Sequence, residues 1–219
     1  MPFTTLPTSA YSTLDATKLT GNLPAISGAS LTNIDSANHV QLFHSETAVD
    51  QSEVILDNIF SSTYDFYHIK GMFIPYSDNV DFRFRARTGG ASGSTYSGSE
   101  YQWLWRGRYV GSSGGGNNDN SSFSDSAWKL ADNVNLDFES SYVAFTMDWF
   151  DPNTNVTERP HYNADVNWQN NSNSTFYRNY ASGKLKTNNN ITGLTFYFSS
   201  GDVDKVKIVC YGVKTTWVI

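Results

Sequence analysis

Carboxylates are the first residues in this 219-residue chain to weigh for chemistry. Glu100, Glu139, Asp148 and Glu158 could supply a glycosidase pair. Such a pair needs two carboxyls about 5–9 Å apart across a sugar-sized cleft, one with a raised pKa. Alternation sets Asp148 opposite the apolar row Phe145, Met147 and Trp149, which points it to solvent. Gly111-Ser112-Ser113-Gly114-Gly115 satisfies G-x-S-x-G. A nucleophile elbow turns from strand into helix, however, and only a Gly, Ser and Asn run follows here. Asp151, Asn153, Asn155 and Glu158 place oxygen atoms at positions 1, 3, 5 and 8 of one loop and are weak candidate cation ligands. The glycine at position 6 and the acid at position 12 of an EF-hand are missing, and Asp-Pro-Asn is equally the chemistry of a turn. The histidines His39, His44, His68 and His161 lack metal-ligand spacing. We expect no catalytic residue, no metal and no cofactor.

Recognition is better supplied than catalysis. Arg83, Arg85 and Arg87 fall on one side of an alternating run, a ladder about 14 Å long at strand rise. It could meet an acidic partner or an anionic glycan, line a contact between copies of the chain, or be a solvated outer face. Trp103 and Trp105 share a face and suit either sugar stacking or a packed core. Trp168 and Tyr177, with Asn170 nearby, and Asn118 and Asp119 in a polar stretch offer rings, amides and a carboxylate to sugar hydroxyls. These five residues are the candidate glycan- or receptor-binding set.

Such residues must be held by strands. Ser, Thr and Asn number 27, 20 and 21, nearly a third of the chain, and favour turns over helix interiors. Fourteen Phe, thirteen Tyr and six Trp suit strands. Alternation is clear at 80–87, 101–109, 143–149, 194–198 and 206–210, and weaker strands are expected near 53–57, 66–74, 162–168 and 176–186. The run Gly111–Ser126 reads as a long exposed loop. The expectation is an all-β, antiparallel two-sheet jelly-roll sandwich over residues 39–219. A net charge of −6 disfavours a phosphate-neutralising nucleic-acid face. The single Cys210 excludes an intrachain disulfide framework. No apolar run is long enough for a membrane helix, and the N-terminus lacks the pattern of a secretory signal.

Residues 14–38 differ from the rest. Leu19, Leu23, Ile26, Leu31 and Ile34 are thinly spaced around glycine turns and have no second layer to cover them. Stacking against identical chains around an axis would supply that layer; a flexible linker is the other reading.

The tract Asp15–Asn33, with Leu19-Thr20-Gly21-Asn22-Leu23 and Ile26-Ser27-Gly28-Ala29-Ser30-Leu31, resembles the glycine–leucine repeats of bacteriophage tail fibres and related virion proteins. The remainder resembles the jelly-roll domain that often follows them. Its marks are Tyr64–Gly71, Phe82–Arg85 with Gly89-Gly90, and Ile191–Gly201 running to Tyr211-Gly212-Val213-Lys214. The resemblance implies a virion component, commonly a homotrimer, engaged in attachment to a bacterial surface glycan and without catalytic residues. It could be a short fibre, a spike or a capsid or tail decoration protein. The Thr- and Pro-rich residues 1–13 would then dock onto another virion protein. A free-standing carbohydrate-binding module or lectin is the alternative, and a polysaccharide-degrading enzyme the third.

Overall fold

A computed structural model describes residues 39–135, 142–153, 160–170, 174–187 and 190–214. The trimerisation residues Leu19, Leu23, Ile26, Leu31 and Ile34, and the docking segment 1–13, lie outside them. The described chain is built from strands: β1 (His39–Gln51), β2 (Val54–Leu56), β3 (Phe66–Pro75), β4 (Val80–Thr88), β5 (Ser94–Thr95), β6 (Tyr101–Gly111) and β7 (Gly114–Asn117). They continue as β8 (Asn120–Asp125), β9 (Trp128–Val134), β10 (Val143–Phe150), β11 (His161–Asn170), β12 (Thr175–Leu185), β13 (Gly193–Phe198) and β14 (Val203–Val213). Among the described residues the only helical turn is the 3-10 turn Gly90–Ser92.

Two sheets result. The larger runs β1-β14-β3-β10-β11-β12-β6-β7, with β8 also paired to β6. The smaller runs β2-β13-β4-β5, with β9 also paired to β4. Every pairing is antiparallel. The strands announced by alternation are β4, β6, β10, β13 and β14, because each sends every second side chain into the core: Phe82, Phe84 and Ala86 in β4, and Val143, Phe145, Met147 and Trp149 in β10.

Those buried faces meet in an aromatic core. Phe73 and Phe145 of the larger sheet pack on Phe82 and Phe196 of the smaller, with ring centroids 4.9–5.8 Å apart. Beside them, Phe84 and Trp128 of the smaller sheet pack against Trp149 and Tyr162 of the larger. Two antiparallel sheets joined face to face in this way are the arrangement of a β-sandwich. Gly183 is required beneath this cluster, because a Cβ there would stand 2.7 Å from Tyr162 and 2.8 Å from Trp128. Cys210 is buried in the same core, and burial pushes its thiol up to about 12.

The stretch Gly111–Ser126 departs from the expected loop. Ser112 and Ser113 form a two-residue hairpin turn, closed by the Gly111–Gly114 pair. The chain then returns along β6 as β7 and, further down, as β8. Backbone pairing holds these residues, and side chains that are small and polar apart from the exposed Phe123 carry no alternation to reveal it. The G-x-S-x-G motif therefore sits in a strand–turn–strand, without the helix that a nucleophile elbow requires.

Candidate functional site

The outer face of the larger sheet gathers the exposed recognition chemistry. Across β6 and β12 the register pairs Arg108 with Arg178, Gly107 with Asn179 and Arg106 with Tyr180. Side chains of such pairs lie on the same side of the sheet. Trp103, Trp105 and Ala181 point inward in these strands and are buried. The residues of opposite parity, Arg106 and Arg108 in β6 and Arg178 and Tyr180 in β12, therefore point outward.

These four, with Gly107, Asn117 and Asp119, line an open groove of about 540 Å³. Its edge is fixed by the segment between β7 and β8. The Gly107 amide donates to Asp119 Oδ1 at 3.2 Å, and the Asn118 amide donates to the Gly107 carbonyl at 2.9 Å. Asn118 Nδ2 also donates to Asn179 Oδ1 at 3.3 Å. Gly107 admits this close approach, since a Cβ would collide with Asn179 Oδ1.

Charges in the groove are unevenly matched. Arg178 donates twice to Asp165, at 3.1 and 2.6 Å, and its guanidinium lies 5.1 Å from the Tyr180 ring centre. The bonds to Asp165 raise its pKa further above the ordinary arginine range. Arg108 Nη1 donates to the neutral amide oxygen of Asn117 at 2.9 Å. Arg106, whose side chain is 83% exposed, comes only within 3.9 Å of Asp119.

A second hollow of about 460 Å³ occupies the other end of the same strands. Its apolar walls are the exposed Leu104 and Phe123, and Ser182 Oγ lies 2.9 Å from Asn163 Oδ1 on its floor. Further across the face, His68 Nδ1 meets Asp148 Oδ1 at 2.6 Å.

The expected glycan set is divided by the structure. Asp119 lines the open groove, and Asn118 braces it. Trp168 is only 1% exposed and stacks inside on Tyr177, with ring centres 4.9 Å apart and planes 7° from parallel. Asn170 is also buried and donates to the Asn133 carbonyl at 2.9 Å. Placing Trp168 and Asn170 on the surface is thus corrected. They continue the inward row Tyr162, Ala164 and Val166, which the Asn-rich surroundings obscure.

The other candidates carry less. Asp151 adopts a left-handed backbone, φ 52°, as turn residues do, and Asn153 Nδ2 donates to the Phe60 carbonyl at 3.3 Å. Asn155, Glu158 and Glu139 lie outside the described residues. Among the described residues no group of three or more His, Cys, Asp or Glu side chains could hold a metal ion. Glu100 accepts the Tyr96 hydroxyl at 2.8 Å, and Asp148 is engaged by His68.

The groove arginines and Tyr180 were not singled out from the sequence. The signal was present for two of them, because Arg106 and Arg108 alternate with Trp103 and Trp105. Their meeting with Arg178, 70 residues further along, depends on a register that no local pattern encodes. Compared with protein-family models, curated proteins and solved structures, the chain matches none.

Proposed function

We propose that this chain is a bacteriophage virion structural protein, a short fibre, spike or decoration protein, that attaches the particle to a bacterial surface. The N-terminus docks on another virion protein, residues 14–38 hold three copies together, and the sandwich is presented outward. The observation carrying the attachment role is the open groove on the larger sheet, where exposed arginines surround an exposed tyrosine. Rigid strands, rather than a lone loop, position these side chains, which suits a site that must hold its geometry.

The jelly-roll part of the reading is supported by strand order. With β5–β8 and β11–β12 set aside, the remaining eight strands run β1-β14-β3-β10 and β2-β13-β4-β9. Two four-stranded sheets exchanging strands in this way are the wiring of a jelly roll. Of the strands set aside, β6–β8, β11 and β12 widen the first sheet, and β6, β7 and β12 with the segment between β7 and β8 line the groove.

Peptides of this chain in density-banded particles, with a trimer mass for the purified protein that is lost on deleting residues 1–38, are the expected results. Particles free of the chain would overturn the virion assignment, and an unchanged oligomer after the deletion would overturn the trimerisation role. The same groove would suit a free-standing lectin, for which the full chain is monomeric and never particle-bound.

A further inference from the structure

Three arginines converge on one groove in a protein of net charge −6. Arg108 and Arg178 stand directly opposite each other across two strands, and like charges so placed destabilise a sheet. Asp165 answers Arg178. Arg108 is answered by an uncharged amide, and 3.9 Å from Asp119 is too long for Arg106 to make a hydrogen bond. Among the described residues, then, two guanidiniums on one strand face lack a carboxylate at bonding distance. They are about 7 Å apart along the strand. Beside them lies the Tyr180 ring, 58% exposed.

We propose that this groove binds a saccharide bearing an anionic group, such as a uronate. Arg106 and Arg108 hold the anion, and the sugar ring lies on Tyr180. Guanidinium forks match a planar carboxylate in geometry as well as charge. Asp119 and the amide of Asn117 sit on the rim as acceptors, which sugar hydroxyls can satisfy. A nucleic-acid strand fits poorly, because neutralising a run of phosphates needs a broad basic face and the chain is acidic overall. The groove volume falls within the range of small-ligand pockets, enough for a short saccharide segment. The inference rests on the attachment reading for where such a sugar is met, but its chemistry is tested on the purified protein alone.

The full chain is applied to immobilised glycans carrying uronic, sialic, sulfated and phosphorylated sugars beside neutral counterparts. Binding is expected to acidic members only and to weaken with added salt. The double change Arg106→Ala with Arg108→Ala, and separately Tyr180→Ala, should weaken it by about tenfold or more. Lys70→Ala, which removes a positive charge elsewhere on the same face, should leave it unchanged, and melting curves should show every variant folded. Absence of binding to any acidic glycan, equal binding to neutral ones, an unaffected arginine variant or an equal loss with Lys70→Ala would each overturn the proposal. Failure here with the chain present in particles removes the ligand class and leaves the attachment reading standing; binding by a chain absent from particles does the reverse.

Discussion

Two rows of arginines stand on the two sheets, three on β4 and two on β6, and they have opposite fates. Arg83, Arg85 and Arg87 project from β4 on the smaller sheet, and each is occupied within the chain. Arg83 Nη2 donates to Asp81 at 2.6 Å; Arg85 donates to the Ser126 carbonyl at 2.9 Å and lies over Tyr197. Arg87, only 8% exposed, makes two bonds to Asp57, at 2.9 and 3.2 Å, and reaches Thr95 and the Gly93 carbonyl. On the larger sheet Arg106 and Arg108 remain open to the groove. Alternation alone finds the first row more easily. What separates a structural arginine from a recognition arginine is the partner that tertiary packing supplies.

The comparison is sharpened first by the residue whose position the sequence misjudged. Trp168→Ala removes a buried, stacked indole and should cost about 3–5 kcal/mol, read by urea denaturation. A surface-like loss below about 0.5 kcal/mol would restore Trp168 as an exposed platform.

Next comes the occupied row. Arg87→Met keeps the apolar stem but strands the Asp57 carboxylate and the Gly93 carbonyl. Asp57 retains some access to water, so the expected loss is about 2–3 kcal/mol, below that of a fully buried pair. Arg106→Ala should change stability by less than about 0.5 kcal/mol, because its side chain is exposed. Equal losses for the two would erase the distinction between the rows.

On β9, beside β4 in the same sheet, burial raises the Asp132 carboxyl above the ordinary carboxylate value, Lys129 only partly opposing the effect. A carboxyl raised in the folded state favours folding below its unfolded pKa, and that contribution is lost as pH rises through the folded value. Asp132→Asn should therefore raise the melting temperature at neutral pH relative to wild type, and give no such gain at about pH 3, below the unfolded carboxylate pKa. A variant less stable at neutral pH would contradict the burial account.

The smallest effect belongs to the open row. Arg108→Thr relieves the like-charge pair with Arg178 and should leave stability level or raise it by a few tenths of a kcal/mol, about the scale of one cross-strand pair. A loss above about 1 kcal/mol would mean that Arg108 is a structural residue after all.

These contrasts also mark how far the sequence could be read. The strands with one aromatic face were legible, since burying Phe82 and Phe84 or Phe145 and Met147 forces a period of two. β7 and β8 were not, because their mostly Gly, Ser and Asn residues follow β6 through backbone pairing with no buried apolar row to reveal it. Asp119 was found by its chemistry in a polar stretch. Trp168 was misplaced by the same criterion, as its neighbours' polarity outweighed its parity with Tyr162 and Val166. The groove depends on the pairing of β6 with β12, and long-range register is invisible to local composition.

The central proposal is that Arg106 and Arg108 serve a bound ligand rather than the fold. Under the proposed attachment role it is tested most directly by adding purified chain to bacterial cells before the particles proposed to carry it, and counting the particles left free. Wild-type protein should occupy receptors and reduce adsorption, while the folded Arg106→Ala with Arg108→Ala variant should not. Equal protection by both proteins, or none by either, would contradict the account.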